Sequence, residues 1–359
     1  MLVVVKRSRA AATVLLTVLL AGLDLTVAPA ARACACGGFV AADGERMATS
    51  AEHAVISLDG DQERILLSMD TRTVTDDAAL LIPTPAPAEA ALAEKTVFAE
   101  LKAATAPRYQ IDHTWWPERD PGDGSAPGTP VGSSVDVLKT KQLGALEVTT
   151  LAATDADKLA NWLTAHDYVM ADSMATALQP YVADGWYYTA IRLTTDAADL
   201  SGALQPLDLT FASDSLIYPM RLSAAAPGSQ FVRTYVFSDH QVRRSDRTAG
   251  RTNTSTYFAG QLPATAVTAR SLTEIIATND YLTVTDSYIG DPSEQIVSDF
   301  TFVRADQDRP YHKIIHQTRV RTVLGIPAGP AVVGIGVVLV AAGVIIGLGR
   351  IRRRRADQP

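Results

Sequence analysis

The period of the apolar positions changes several times along the 359 residues, and each change marks an element. Residues 54–58 and 64–69 are short apolar runs on either side of Asp59-Gly60-Asp61, the pattern of a hairpin. A third run at 78–82 is closed by Pro83-Thr84-Pro85-Ala86-Pro87, whose prolines lack the sheet donor and which reads as an extended connector. Residues 90–104 predict a helix with Val97, Phe98 and Leu101 on its apolar stripe and Pro107 beyond its end. Residues 146–152 alternate as a strand. Thr154 and Asp157 then form a capping-box-like start for a helix striped by Leu159, Trp162 and Leu163. A second helix is expected at 172–183, with Met174, Leu178, Tyr181 and Val182 on one face and Gly185 past its end. Strand-like runs follow at 186–193, 207–211, 231–237, 282–288 and 300–303. Strands outnumber helices and are not regularly separated by them. The expected fold is α+β, a mainly antiparallel sheet with a few helices.

Both ends of the chain depart from this pattern. Lys6, Arg7 and Arg9 precede an uncharged apolar run at 10–23, and Ala31-Arg32-Ala33 offers the small residues of a cleavage point, so residues 1–33 read as a signal peptide. The stretch at 323–349 is apolar, free of charge and long enough to cross a bilayer as a helix. Arg350, Arg352, Arg353, Arg354 and Arg355 follow within the tail at 350–359, and a basic cluster beside a span is retained on the cytoplasmic side. The expected topology is a single pass through the cell membrane, with an extracytoplasmic domain at 34–322 and a cytoplasmic C-terminus. The lipid bilayer is then a partner through the C-terminal helix. Gly343 and Gly347, four apart in the span, are a helix-pairing candidate for contact with another membrane protein.

Setting the ends aside changes the charge. Nine of the 32 basic residues and two of the 39 acidic residues lie there, which leaves the outer domain at about −14 against −7 for the whole chain. That balance argues against nucleic acid as a partner, because neutralising phosphates takes a basic footprint. With only Cys34 and Cys36 present, the domain is held by packing rather than by a disulfide scaffold. Residues 117–134, rich in Pro, Gly, Asp and Ser, read as a flexible loop or insertion, and Asp120 and Asp123 within it lack the alternating ligands and closing glutamate of a calcium loop.

Five segments stand in a telling order: Cys34-Ala35-Cys36-Gly37-Gly38-Phe39, Leu80-Leu81-Ile82-Pro83, Phe98-Ala99-Glu100-Leu101, Trp162-Leu163 with Asp167-Tyr168, and Tyr218-Pro219-Met220-Arg221-Leu222. From Cys34 to about Val303 the chain thereby resembles the domain-of-unknown-function family 2330 of uncharacterised exported bacterial proteins. The resemblance implies an exported or membrane-anchored bacterial protein and supplies no activity and no functional residues.

Candidate chemistry is sparse. Cys34 and Cys36, two apart, are a disulfide or redox candidate: a bridge across one residue is strained and reducible. A structural bridge beside Gly37 and Gly38, metal ligation, and lipidation of Cys34 are the other readings. Arg243, Arg244, Arg247 and Arg251 form an anion-binding candidate for a surface polymer or lipid head group, against the plainer reading of a solvated loop. Trp115 and Trp116 suit either a sugar-stacking platform or local packing. His312 and His316 have the helical spacing of metal ligands, but their β-branched neighbours favour a strand, which separates them by about 13 Å. No metal site is expected there. The chain contains no nucleophile elbow, P-loop or dinucleotide fingerprint, and no cofactor is expected. The leading expectation is a binding or structural module at the cell surface. The alternative is an extracytoplasmic enzyme, hydrolytic or thiol-redox, whose catalytic residues the sequence does not locate.

Overall fold

The computed structural model describes residues 37–42, 47–116, 140–141, 147–152, 156–197, 199–226, 228–323 and 325–356. The expected signal peptide at 1–33, Cys34, Cys36, the expected loop or insertion at 117–134 and Thr154 lie outside the described residues.

The chain opens with β1 (Gly38–Ala42), the long hairpin β2 (Met47–Asp59) and β3 (Gln62–Thr73), then β4 (Asp77–Thr84), β5 (Glu89–Leu92) and α1 (Val97–Ala104). Next come β6 (Arg108–Thr114), β7 (Thr140–Lys141), β8 (Glu147–Ala152), α2 (Ala156–Ala165), β9 (Tyr168–Val169) and α3 (Asp172–Ala183). The middle of the chain supplies β10 (Tyr187–Thr194), β11 (Gly202–Leu204), β12 (Leu207–Ala212), β13 (Ile217–Tyr218), β14 (Gln230–Ser238), β15 (Val242–Arg244) and β16 (Asn253–Gln261). It ends in α4 (Arg270–Thr278), β17 (Tyr281–Ile289), α5 (Pro292–Gln295), β18 (Phe300–Arg304), β19 (Tyr311–His312), β20 (Ile314–Val320), β21 (Thr322–Val323), β22 (Ile326–Pro327) and α6 (Ala328–Ala356).

Two sheets dominate. The smaller has the order β8-β10-β4-β1-β9, and the larger runs β19-β16-β17-β14-β2-β3-β11-β7, with β12 on β3 and β5 on β12. Antiparallel pairs prevail, and β14 beside β2 is the long parallel exception in the large sheet. Side-chain alternation then builds the layers. Ile56, Ile65, Leu67 and Val236 of the large sheet meet Leu80, Ile82, Ile191 and Leu193 of the small one in a common core. The intervening positions Val55, Leu66, Tyr235 and Phe237 face outward under α1 and α4, through Val97, Phe98, Leu101, Leu272, Ile275 and Ile276. On the far side, Ala79, Leu81, Tyr188 and Ala190 lie under α2 and α3, through Leu159, Leu163, Met174 and Leu178. The result is a helix–sheet–sheet–helix stack. Its central strands are buried on both faces, which is why Leu80-Leu81-Ile82 and Ile65-Leu66-Leu67 read as continuous apolar runs rather than alternating ones.

Two expectations are corrected. Residues 90–104 are not one helix: Glu89–Leu92 forms β5 against Leu207–Thr210 of β12, and the helix begins at Val97. The Glu-Ala-Ala-Leu sequence favours a helix, but an open sheet edge offers it a full ladder, and tertiary context overrides propensity. The proline segment is likewise not all connector, since Pro83 lies within β4 opposite Tyr188. On the other side the described part of β1 pairs with β4 as far as Leu81, so among the described residues Pro83 faces a ladder partner only on the β10 side.

The glycines after Cys36 are packing residues. A Cβ on Gly38 would lie 2.5 Å from the Met174 methyl, and one on Gly37 would lie 2.4 Å from the Leu81 carbonyl oxygen. The start of β1 thus slides beneath α3 at a distance only glycine permits.

Candidate functional site

Among the described residues, those singled out in the sequence do not converge. Cys34 and Cys36 fall just before the described β1. Of the four arginines, Arg244 is sequestered: its guanidinium grips Asp246 through bonds of 2.6 and 2.5 Å and lies 3.3 Å over the Phe300 ring. Arg247 donates to the Val297 carbonyl at 3.0 Å and Arg251 to the Glu294 carbonyl at 3.3 Å, while Arg243 is exposed on β15. Three of the four therefore hold their own chain. Gly343 and Gly347 lie on α6 with nothing within 4 Å of a Cβ built on either. His312 and His316 lie on separate strands, and His316 bonds Asp112 across β20 and β6 at 2.7 Å. No group of metal-ligating side chains occurs among the described residues.

What the fold does assemble is a polar cluster at one end of the small sheet. Asp77 opens β4, Arg192 lies in β10, Glu147 in β8, His166 just beyond α2 and Tyr168 in β9. Arg192 donates from Nε to both Asp77 oxygens at 3.0 and 3.1 Å, with a further bond from Nη2, and the Tyr168 hydroxyl donates to the same carboxylate. His166 Nε2 lies 3.2 Å from Glu147 and its Nδ1 2.8 Å from the Trp162 carbonyl, with the Trp162 ring 4.5 Å away. Partial burial alone would raise the Asp77 pKa, but Arg192 and the Tyr168 hydroxyl outweigh it and hold the carboxyl below its usual range. The same burial and the adjacent carboxylate push the Tyr168 phenol up. Asp77, Arg192 and Glu147 remain 32%, 35% and 47% exposed, so the cluster is both ordered and accessible.

A second network is enclosed. Asp299 accepts from the backbone N–H groups of Met220 and Arg221 at 2.7 and 3.0 Å, from Arg221 Nε at 2.8 Å and from the Tyr181 hydroxyl at 2.5 Å. Arg221 also reaches Asp184 at 2.6 Å and lies 4.1 Å from the Tyr181 ring centre. This network fastens α3 to the segments flanking β13 and β18. A third group lies on the large sheet, where Arg233 forks onto Asp286 at 2.6 and 2.8 Å and covers Tyr257 at 3.9 Å. Beside it His53 is surrounded by Phe98, Phe231 and Tyr235, and desolvation, with Arg233 and Lys102 near, pushes its pKa down to about 3.

A family profile described as an uncharacterized protein conserved in bacteria, DUF2330, matches residues 30–303. The chain belongs to this family. No curated protein matches it. Among solved structures, the crystal structure of baculovirus P35 is similar at a TM-score of 0.36 and 10% identity, over 73% of this chain and 98% of that one. A mutated baculovirus P35 after caspase cleavage gives 0.29 and 9%, over 71% and 98%. At these scores neither structure informs the fold or the site. The DUF2330 match includes every residue of the polar cluster and ends within β18, so β19 to β22 and α6 lie beyond it.

Asp77, Glu147, His166 and Arg192 were missed in the sequence because only the tertiary fold brings them together, three by strand pairing and His166 from the turn after α2, Asp77 and Arg192 being 115 positions apart. The available signal was indirect: among the segments that carry the DUF2330 resemblance, Tyr168 belongs to the cluster and the Trp162 ring packs beside it.

Proposed function

We propose that this DUF2330 protein is a membrane-anchored, extracytoplasmic binding or structural module, with its domain outside the cell membrane and its arginine tail in the cytoplasm. The observation that carries the reading is α6. Residues Ala328–Leu348 form 21 residues of apolar helix, and beyond Ala328 and Gly329 the stretch is not buried against the described residues. At about 1.5 Å per residue it spans about 31 Å, the thickness of a bilayer's hydrocarbon. An apolar rod of this size is unstable in water, and the five arginines that follow set its direction. For the domain, a binding role is supported by the polar cluster at Asp77 and Arg192, which is held in shape yet open to solvent. A surface polymer or a membrane-protein partner suits such a face. Cys34 and Cys36 enter the oxidising compartment just before a strand fixed under α3, and there they close a small structural disulfide.

An enzymatic reading rests on Glu147 and His166, which are within hydrogen-bonding reach as an acid–base pair. The mutual pairing of the cluster favours binding over catalysis. The test is truncation after Thr322. The shortened protein is expected in the medium as a soluble folded domain, while the full chain stays with membranes washed in alkaline carbonate. Release of the full chain by that wash overturns the anchor.

A further inference from the structure

Beyond the domain lies a feature the anchor alone does not require. β6 and β20 form a separate parallel ribbon, and its two C-terminal ends arrive together at the start of α6. The junction is closed by backbone bonds. Arg321 N–H donates to the Thr114 carbonyl at 2.8 Å, Ala328 N–H to the Arg321 carbonyl at 2.7 Å, and Gly329 N–H to the Trp115 carbonyl at 2.7 Å. Ala328 and Gly329 occupy the first helical turn, whose N–H groups have no partner within the helix. The ribbon supplies those partners where water becomes scarce.

The side chains at this junction are unusual for a surface in water. Trp115 and Trp116 are 51% and 56% exposed, beside Val323 at 43% and Ile326 at 54%. The Trp116 ring rests on the helix itself: a Cβ on Gly329 would fall 2.6 Å from its Cδ2. The Arg321 guanidinium lies 5.8 Å over the Trp115 ring. Two half-exposed indoles and a cation, continuous with the first turn of a span, match the composition of the layer between lipid tails and water.

We propose that Trp115 and Trp116 lie within the phospholipid head-group layer on the domain side of the span, with Arg321 at the phosphates, as a collar that fixes the height and tilt of the domain above the bilayer. The inference rests on the membrane-anchored reading, and the occupant of the exposed indole faces is the bilayer itself.

The test uses the full chain in phosphatidylcholine vesicles carrying a nitroxide either near the head group or deep in the acyl chain, with the W115F/W116F variant beside it. Two of the four tryptophans are in the collar, so the shallow label is expected to quench roughly half the emission, the deep label less, and neither to quench the variant appreciably. Flotation of the vesicles after a carbonate wash reads the anchor separately. Wild-type protein that floats with the vesicles but is unquenched by either label overturns the collar and leaves the anchor standing. Protein that does not float overturns both.

Discussion

Arg221 Nε donates to Asp299 Oδ2 at 2.8 Å, and this pair ties the helical layer of the small sheet to the strands that close the central core. Asp299 is 7% exposed and Arg221 19%, with the guanidinium 4.1 Å from the Tyr181 ring. Removing the carboxylate strands a half-buried cation, two backbone N–H groups and a phenol. D299A is expected to cost about 3–5 kcal/mol in urea unfolding. A loss below about 0.5 kcal/mol contradicts the role of this pair as a fastener.

Glu63 is fully buried on β3, where its Oε1 accepts from Ile217 N–H at 2.8 Å. Burial pushes its pKa up to about 8, against the opposing bonds from Ile217 and Ser213. The native state therefore keeps a proton that the unfolded chain releases above about pH 4.3. Stability from this group is complete below that pH and falls as the pH climbs to 8. E63Q should flatten the decline and raise the Tm at pH 8 by about 2–4 °C, the effect of about 1 kcal/mol in a domain of this size. An unchanged pH profile in E63Q would falsify the assignment.

Glu100, at the middle of α1, caps a different helix. Its carboxylate accepts from the N–H groups of Thr268 and Ala269 at 2.6 and 3.0 Å and from the Thr268 hydroxyl at 2.7 Å, just before α4. Desolvation opposes ionisation, but these donors outweigh it and hold the pKa at about 2. The contribution is present above the unfolded value of about 4.3 and is lost as the pH falls towards 2. E100A should lose about 1–2 kcal/mol at pH 7. The gap from wild type should close on acidification, as chemical denaturation at pH 7 and pH 3 will show.

The legible parts of this fold were those whose signal is local. α3 occupies the expected residues 172–183, and the runs around β8, β10, β12, β14, β17 and β18 foretold those strands to within two residues. β16 escaped because Asn253-Thr254-Ser255-Thr256 has no apolar alternation, and that half of the strand is largely exposed. α4 is only nine residues long, and its stripe of Leu272, Ile275 and Ile276 is too short to stand out from a loop. The polar clusters were beyond reach for another reason. Each unites elements distant in the chain, as Arg233 with Asp286 across two strands or Tyr181 of α3 with Asp299 before β18, and such partners are chosen by the whole fold rather than by neighbours in sequence. In the arginine cluster, proximity along the chain suggests a shared surface, and the fold turns Arg244 inward onto Asp246.

Topology tests the central claim most directly. An epitope tag placed after Pro359 is followed while protease is added to intact cells. The account predicts that the domain is trimmed and the tag survives, because the tag follows the arginines on the cytoplasmic side. Loss of the tag with survival of the domain contradicts it.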